Sequence, residues 1–350
     1  MKIAFLLPMP TTKIVGGYKV VYEYANYLSD QGNKVSIVFN SDKGRNSRRL
    51  PKKLVYLLRC FICKREPRWF NLSPKIKKIN VFSLKKEMFD KYDLVVATAA
   101  ETAVFVNSLS VKQKVYLIQD FEKNWRLDEK QLFETYNYPN MKLVVVSKWL
   151  MNKVSAHTSK KIYYIPNGID RSIFDDCKRD RNKHSIAMLY HLDARKAVKI
   201  GFKVIYRLKQ KYPDLEVNLF GAPKPEKKWP SWIHYTKSAS PKEVSEIMNK
   251  SNVFLCTSKF EGFGLTGLES MFCGCVFVTT DCGGIREYAS TNNSIICGVG
   301  NINELFDGVS RIFDSDDTRE QLLINSQRVK DIFSLRKSQL QFEGLINQKH

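Results

Sequence analysis

The sequence predicts an α/β protein made of two Rossmann-like domains, each organised around a parallel sheet. Near-continuous apolar runs at 92–98, 114–120 and 142–148 are typical of parallel strands that are buried on both faces. Strand–helix–strand units with short links, as at 253–279, also indicate a parallel sheet. A length of 350 residues suits two domains of about 150 to 175 residues each.

The chain opens with a strand, a loop, a helix and a second strand. KIAFLL is the first strand, and the loop after it ends in Gly16 and Gly17. A helix is predicted over 18–31 because its apolar residues share one face and Gly32 stops it. VSIVF is the next strand. A glycine pair at a helix start suits a phosphate, or allows an acceptor to come close.

A domain boundary is predicted near residue 166. The strand 162–165 is followed by PNGID, a turn that contains a proline and a glycine. We therefore assign residues 1–165 to the first domain and 166–332 to the second. Residues 333–350 are predicted as a last helix.

The stretch from Val253 to Glu287 organises the second domain. It is predicted as a strand at 253–256, a glycine-bearing loop, a helix at 265–272 with Gly274 as its left-handed cap, and a second strand at 276–279. The loop after each strand lies at the carboxyl edge of the sheet, where ligands of such sheets bind.

Two acidic residues and a helix start give this edge its chemistry. Gly262 and Gly264 allow a ligand close to the backbone, and the amides of Phe263, Gly264, Leu265 and Thr266 would open a helix whose positive end favours a phosphate. Glu261 precedes this anion site, and Glu269 lies one helical turn after Leu265. One carboxylate is expected on a sugar and the other on a ribose diol. The alternative is an ordinary loop with two surface glutamates.

The net charge of +22 is concentrated in one segment. Residues 43–91 hold 16 Lys and Arg against three acidic residues, together with aliphatic and aromatic side chains. This composition favours a segment that lies on an anionic bilayer. Nucleic acid attracts the same charges, but no helix-turn-helix, zinc-finger or RNA-binding signature accompanies them. A solvated basic loop is the third interpretation.

The remaining composition points to a cytoplasmic protein, and no metal site is expected. No run of 18 apolar residues predicts a transmembrane helix, and Pro8 follows the first strand too soon for a signal peptide. Eight cysteines without framework spacing indicate reduced thiols. Cys60 and Cys63 lack a second pair, so a zinc site is not expected, and no DxD motif indicates a divalent ion.

The stretch EGFGLTGLESMFCG, followed by TTDCGG and a glutamate, resembles the donor-site signature of the retaining GT-B glycosyltransferases that carry two glutamates with seven residues between them (E-x7-E), the glycosyl transferases group 1 family. The resemblance implies a GT-B fold, with two Rossmann-like domains facing across a cleft and a last helix that crosses back to the first domain. This sequence differs from the family signature at Thr266, where members of the family usually have proline.

The resemblance also implies roles for residues outside this stretch. Lys196 matches a lysine that holds the donor diphosphate, His191 stands where relatives usually have arginine, and Arg195 is a candidate for the second cation. Ala197 stands where relatives usually have glycine. A cap at the start of the following helix is the alternative role of Arg195.

In the first domain, Gly16 and Gly17 match a loop that meets the diphosphate. Many relatives have a histidine where Gln119 or Asp120 stands here, so Asp120 is either the catalytic residue on the acceptor side or a cap of the following helix. YLIQDFE is similar to a branch associated with rhamnosyl transfer.

These observations predict a glycosyltransferase, acting with retention, that moves a hexose or deoxyhexose from a nucleoside-diphosphate sugar to a lipid-linked saccharide. The expected setting is cell-surface polysaccharide synthesis, of cell wall or capsule, at the inner face of the cell membrane. Glu261 and Asp120 are the predicted catalytic residues. No cofactor is expected. The alternative is a basic membrane-surface or nucleic-acid-binding protein on the same scaffold. Base, sugar, acceptor and oligomeric state are not determined by the sequence.

Overall fold

The computed structural model describes residues 1–41, 52–123, 127–225 and 228–348. They divide into two compact units, one made of residues 1–166 with 339–350 and the other of residues 167–338. No helix within these ranges combines the length and the apolar character needed to cross a bilayer.

The first unit contains a seven-stranded sheet in which all neighbouring strands are parallel, with the order β3-β2-β1-β4-β5-β6-β7. Its strands are β1 (Lys2–Leu7), β2 (Lys34–Asn40), β3 (Lys77–Val81), β4 (Leu94–Ala97), β5 (Gln113–Ile118), β6 (Met141–Val145) and β7 (Ile162–Tyr164). Its helices are α1 (Gly16–Asp30), α2 (Lys52–Arg65), α3 (Ala100–Asn107), α4 (Glu129–Thr135) and α5 (Lys148–Ser155).

The second unit contains a six-stranded parallel sheet with the order β10-β9-β8-β11-β12-β13. Its strands are β8 (Ser185–Leu189), β9 (Glu216–Gly221), β10 (Ile233–Lys237), β11 (Val253–Cys256), β12 (Val276–Thr280) and β13 (Ser294–Cys297). The later helices are α6 (Val198–Lys211), α7 (Pro241–Asn249), α8 (Leu265–Phe272), α9 (Ile302–Asp314), α10 (Asp316–Ile332) and α11 (Leu335–Asn347).

Apolar side chains on both faces of each sheet form the cores. In the second unit, buried residues of β8, β11 and β12 pack with those of α6 and α9, as expected for central parallel strands. In the first unit, Phe342 of α11 is fully buried and stacks on Tyr24 of α1 with ring centroids 4.5 Å apart. The last helix therefore contributes to the core of the first unit.

Local signals placed most of these elements correctly. The predicted bounds of β11 and α8 are confirmed, and Gly274 adopts the predicted left-handed conformation (φ 77°) after α8. The prediction that Gly16 and Gly17 end a loop is wrong, because they are the first two residues of α1. β3 and β13 carry too few apolar residues to be recognised.

Candidate functional site

The site of the second unit lies where its strand order reverses. β8 and β11 are neighbours, and from them the chain adds strands outward in opposite directions. In open parallel sheets, the crevice outside the carboxyl ends of two such strands is where ligands bind. The loops that follow β8 and β11 carry most of the side chains that the sequence singled out.

An ion pair joins these two loops. The Nζ atom of Lys196 lies 2.6 and 2.8 Å from the two carboxylate oxygens of Glu261, and Ser258 donates a hydrogen bond of 2.6 Å to the same carboxylate. The side chains of Lys196 and Glu261 are only 22% and 13% exposed. Burial alone would lower the pKa of Lys196, but the adjacent Glu261 carboxylate outweighs burial and raises it. Lys196 is therefore a cation throughout the neutral range.

The backbone of Glu261 is fixed by the loop after β12. Its amide donates to the carbonyl of Cys282 over 2.7 Å, and its carbonyl accepts from the amide of Gly284 over 2.9 Å. A Cβ atom on Gly284 would lie 2.2 Å from the carbonyl oxygen of Gly262. The close approach of the two loops therefore requires a glycine at position 284, and it holds Glu261 in place.

The N-terminus of α8 follows directly. Gly264 has φ 82°, a left-handed conformation that glycine adopts freely, and no side chain among the described residues caps this helix. The hydroxyl of Tyr288 donates to the Gly264 carbonyl over 2.5 Å. The ring of Phe263 is buried, so this residue offers a ligand its backbone and not its side chain. The first amides of α8, including those of Leu265 and Thr266, are the ones that the sequence predicts to bind an anion.

Both glutamates contribute to the electrostatic environment of one buried hydroxyl, that of Tyr288. Glu269, in the second turn of α8, is only 6% exposed. Burial, then the thiols of Cys256 and Cys282, then the carboxylates of Glu261 and Glu269 raise the pKa of Tyr288 well above its ordinary value. Along the chain, Glu261 thus precedes the start of α8 and Glu269 lies in its second turn.

Arg195 is held by a neighbour within its own loop. Its side chain lies 2.9 Å from the Asp193 carboxylate and its guanidinium lies over the ring of Phe260, 5.1 Å from the centroid. Asp193 also accepts from the amide of Arg195 over 2.9 Å. Burial alone would raise the pKa of Asp193, but the hydrogen bonds from Arg195 lower it. Asp193 thus engages the Nε and Nη2 groups of Arg195.

His191 is neutral at neutral pH. Its Nδ1 accepts a hydrogen bond of 3.0 Å from the amide of Asp193, so the proton of the neutral ring is on Nε2. Burial and the nearby Lys196 and Arg195 lower the pKa of His191 below its ordinary 6.5. His191 therefore supplies a hydrogen-bond donor at the end of β8 instead of a fixed charge.

The candidates of the first unit lie at the carboxyl edge of its own sheet. Gln119, just after β5, donates from Nε2 to the carbonyl of Gly17 over 3.1 Å, so it ties this edge to the start of α1, where Gly16 also lies. The Asp120 carboxylate accepts from the amide of Phe121 over 2.9 Å. The alternative role of Asp120 as a helix cap is wrong, because Asp128 caps α4.

Three further contributors carry no signal in the sequence. Ser258 binds Glu261, Asp193 holds Arg195, and Thr257 donates to the carbonyls of Lys196 and Ala197 over 3.1 and 3.2 Å. The contacts of Ser258 and Asp193 form within one loop, three and two residues along the chain, whereas those of Thr257 join two loops that only the fold brings together. Among the described residues, no group of three or more His, Cys, Asp or Glu side chains is arranged to hold a metal ion.

The segment that contains this site matches a family model. Residues 170–329 match the family model "Glycosyl transferases group 1". An uncharacterized glycosyltransferase of Methanocaldococcus jannaschii is 25% identical over 211 residues, which cover 56% of either chain. One component of human phosphatidylinositol N-acetylglucosaminyltransferase is 28% identical over 144 residues, 38% of this chain and 30% of the relative. The chain thus spans about half or less of the length of these relatives.

Structural comparisons cover both units. Sucrose-phosphate synthase from Thermosynechococcus elongatus matches with a TM-score of 0.78 at 14% identity, over 99% of this chain and 98% of the other. Anabaena HepE in complex with UDP-glucose matches with 0.75 at 16% identity, over 99% and 100%. WaaG, a glycosyltransferase involved in lipopolysaccharide biosynthesis, matches with 0.71 at 14% identity, over 99% and 100%. The predicted GT-B fold, with two parallel-sheet α/β domains, is confirmed.

Proposed function

We propose that this chain is a glycosyltransferase that moves a sugar from a nucleoside-diphosphate sugar to a saccharide acceptor, with the donor bound by the second unit. The observation that carries the proposal is the Lys196–Glu261 pair beside the start of α8, within the segment that matches the glycosyl transferases group 1 model. A cation and helix-start amides next to a buried carboxylate suit an activated sugar, whose anionic and neutral ends need different partners.

The chemistry follows from where charge develops. As the bond between sugar and diphosphate breaks, negative charge grows on the leaving phosphate, and Lys196 and the first amides of α8 stabilise it. Donor binding draws the Lys196 ammonium toward the diphosphate and leaves the Glu261 carboxylate for the sugar hydroxyls and the electron-poor anomeric carbon. Glu269 binds the ribose. Neutral His191 donates from Nε2, and Arg195 exchanges Asp193 for phosphate oxygen.

The finer assignments extend this mechanism. Transfer retains the anomeric configuration, the sugar is a hexose or a deoxyhexose such as rhamnose, and Glu261 and Glu269 form the E-x7-E pair. In the first unit, Gly16 and Gly17 approach the donor, and Asp120 is the acceptor-side base. No metal and no cofactor takes part.

The acceptor is a lipid-linked saccharide of cell-surface polysaccharide synthesis, such as cell wall or capsule, and the protein works at the inner face of the cell membrane. The basic composition of residues 43–91 supports this placement, since such a segment is attracted to anionic lipid. Two of the similar proteins are compatible with it, one named for lipopolysaccharide biosynthesis and one for a phosphatidylinositol substrate.

A donor screen followed by a turnover assay tests the proposal. Thermal shift with a panel of nucleoside-diphosphate sugars identifies the donor, because a ligand that binds only the folded state raises the melting temperature. Release of nucleoside diphosphate then reports turnover, and NMR of the product gives the anomeric configuration. We expect Glu261→Gln to lower turnover at least about 100-fold. Glu320→Gln, an exposed glutamate of α10, is the matched control.

Two outcomes contradict the proposal. Turnover by Glu261→Gln equal to that of the unchanged protein contradicts the site. A panel in which no nucleotide sugar stabilises the protein, combined with salt-sensitive binding to RNA or DNA, favours a basic nucleic-acid-binding protein on the same scaffold.

A further inference from the structure

The outward face of α2 carries four large apolar side chains that the rest of the described chain leaves exposed. Leu54, Leu57, Leu58 and Phe61 are 42, 55, 48 and 56% exposed. Their spacing of three, one and three residues places them in one stripe, which spans about 100° of the helix circumference. A stripe of this width normally faces a core, but here it faces away from one.

The opposite face of α2 already has its partners. The ring of Tyr56 packs edge-on against Phe82, and its hydroxyl donates to the carbonyl of Asn80 over 3.4 Å. The guanidinium of Arg59 donates to the carbonyl of Ser41, and Cys63 is buried. The helix is therefore fixed to the edge of the sheet next to β3 by one face, and the described residues leave the apolar stripe on the other face uncovered.

The surroundings of the stripe are basic. The α2 sequence, KKLVYLLRCFICKR, contains five basic residues and no acidic one. Lys53 and Lys64 are exposed along one border of the stripe, and the guanidinium of Arg65 lies 5.0 Å from the ring centroid of Phe61. The cations therefore flank the apolar side chains at the same level of the surface.

We propose that the Leu54–Phe61 stripe of α2 lies in the surface of an anionic lipid bilayer, with the helix axis parallel to the membrane plane. Aliphatic and aromatic side chains enter the boundary between headgroups and acyl chains, and Lys53, Lys64 and Arg65 contact lipid phosphates. This inference deepens the membrane placement of the proposed function and rests on it. It assigns that placement to a defined helix face, whereas residues 43–51 of the basic segment lie outside the described residues.

Charge and shape favour a bilayer over the two other occupants. A second copy of the chain that met this face symmetrically would bring two sets of lysines together, with no acidic residue on α2 to offset them. Nucleic acid would use the cations and gain nothing from four adjacent aliphatic and aromatic side chains. An anionic bilayer offers partners for both.

Vesicle flotation tests the inference. The protein is floated with vesicles of phosphatidylglycerol and phosphatidylcholine, and with phosphatidylcholine alone. We expect binding to the anionic vesicles, reduced at least about tenfold by Leu57→Ser/Phe61→Ser and also by Lys53→Glu/Lys64→Glu. Ile324→Ser/Ile332→Ser is the matched control, because these α10 side chains are 65 and 57% exposed, and it should bind like the unchanged chain.

Each contrary result is distinct. Equal vesicle binding by Leu57→Ser/Phe61→Ser overturns the inference, and so does equal binding to neutral and anionic vesicles. A fall in molecular mass of this variant in light scattering assigns the stripe to a second copy, and loss of RNA binding without loss of vesicle binding assigns it to nucleic acid. The flotation assay requires no sugar donor, so its result is independent of the turnover assay that tests the transferase proposal. An unchanged melting temperature confirms that the variants are folded.

Discussion

The ion pair between Lys196 and Glu261 should be measurable as a coupling in the ligand-free protein. At about 4 Å between charge centres and an effective dielectric of about 20, the attraction is about 4 kcal/mol, and desolvation of the two groups offsets a large part of it. The side chains are 22% and 13% exposed, which places the pair between surface pairs and fully buried ones. We expect Glu261→Gln to lower the free energy of unfolding of the second unit by about 2 kcal/mol.

The assay is a double-mutant cycle. Glu261→Gln, Lys196→Met and the double variant are unfolded with urea and by heat without nucleotide. For a unit of this size, about 2 kcal/mol corresponds to a fall of about 4 to 8 °C in melting temperature. We expect the double variant to be more stable than the sum of the single effects predicts, by about 1.5 kcal/mol. Additivity within about 0.5 kcal/mol would refute the reasoning, because unpaired residues show that behaviour.

The pH dependence of this coupling has a fixed sign. The folded-state pKa of Lys196 is raised above its ordinary 10.5. The contribution of the ammonium to stability is therefore fully present below pH 10.5 and is lost as the pH rises through the folded-state pKa. The coupling energy should be the same at about pH 6.5 and about pH 8.5. A coupling that disappears within this interval would contradict the assignment of Lys196 as the partner.

Two further predictions concern the loop after β8. Because the pKa of His191 lies below 6.5, its neutral ring stabilises the folded protein above pH 6.5, and this contribution is lost as the pH falls. A bound diphosphate should instead favour the protonated ring, so donor affinity should rise about threefold to tenfold from about pH 8 to about pH 6. Calorimetry with a nucleotide sugar measures this pH dependence, and a His191→Gln variant that keeps it would exclude the role of His191. Ala197 has φ 45°, a conformation that glycine adopts more easily, so Ala197→Gly should raise the free energy of unfolding by about 0.5 to 1 kcal/mol. Gly300 has φ 80° and an added Cβ would meet no atom, so Gly300→Ala should lower the free energy of unfolding by about 1 kcal/mol. Changes of the same sign for both variants in urea denaturation would contradict this reasoning.

The sequence predicts the second unit best where local signals agree. The apolar run of β11, the glycine before α8 and Gly274 after it predict both bounds of β11 and α8 to the residue. The short strand β13 is missed because only Ile295 and Ile296 separate Ser294 from Cys297, a run too short to distinguish from a loop.

The sequence predicts which residues belong to the site, but it does not predict which side chains they contact. Lys196 and Glu261 are 65 residues apart, and no local pattern states that their charges meet. The sequence analysis expects Arg195 beside a phosphate and assigns no role to Asp193. In the structure, Asp193, two residues earlier, binds the Arg195 side chain. The Lys196–Glu261 contact depends on which strand ends become neighbours, which is a property of the sheet order, whereas the Asp193–Arg195 contact forms within one loop.

The pairing changes how substitutions in this site must be interpreted. The sequence analysis gives Lys196 and Glu261 independent roles, one on the diphosphate and the other on the sugar. In the structure, however, the Lys196 ammonium and the Glu261 carboxylate bind each other. Removing Glu261 therefore frees a cation, so binding of the diphosphate is expected to stay equal or become tighter while transfer falls. Removing Lys196 frees a carboxylate next to the phosphate site and adds repulsion to the loss of a contact. A single substitution therefore changes both the ion pair and the contacts to the donor. Only comparison with the double variant separates the contribution of each residue to donor binding from its contribution to the stability of the protein without donor.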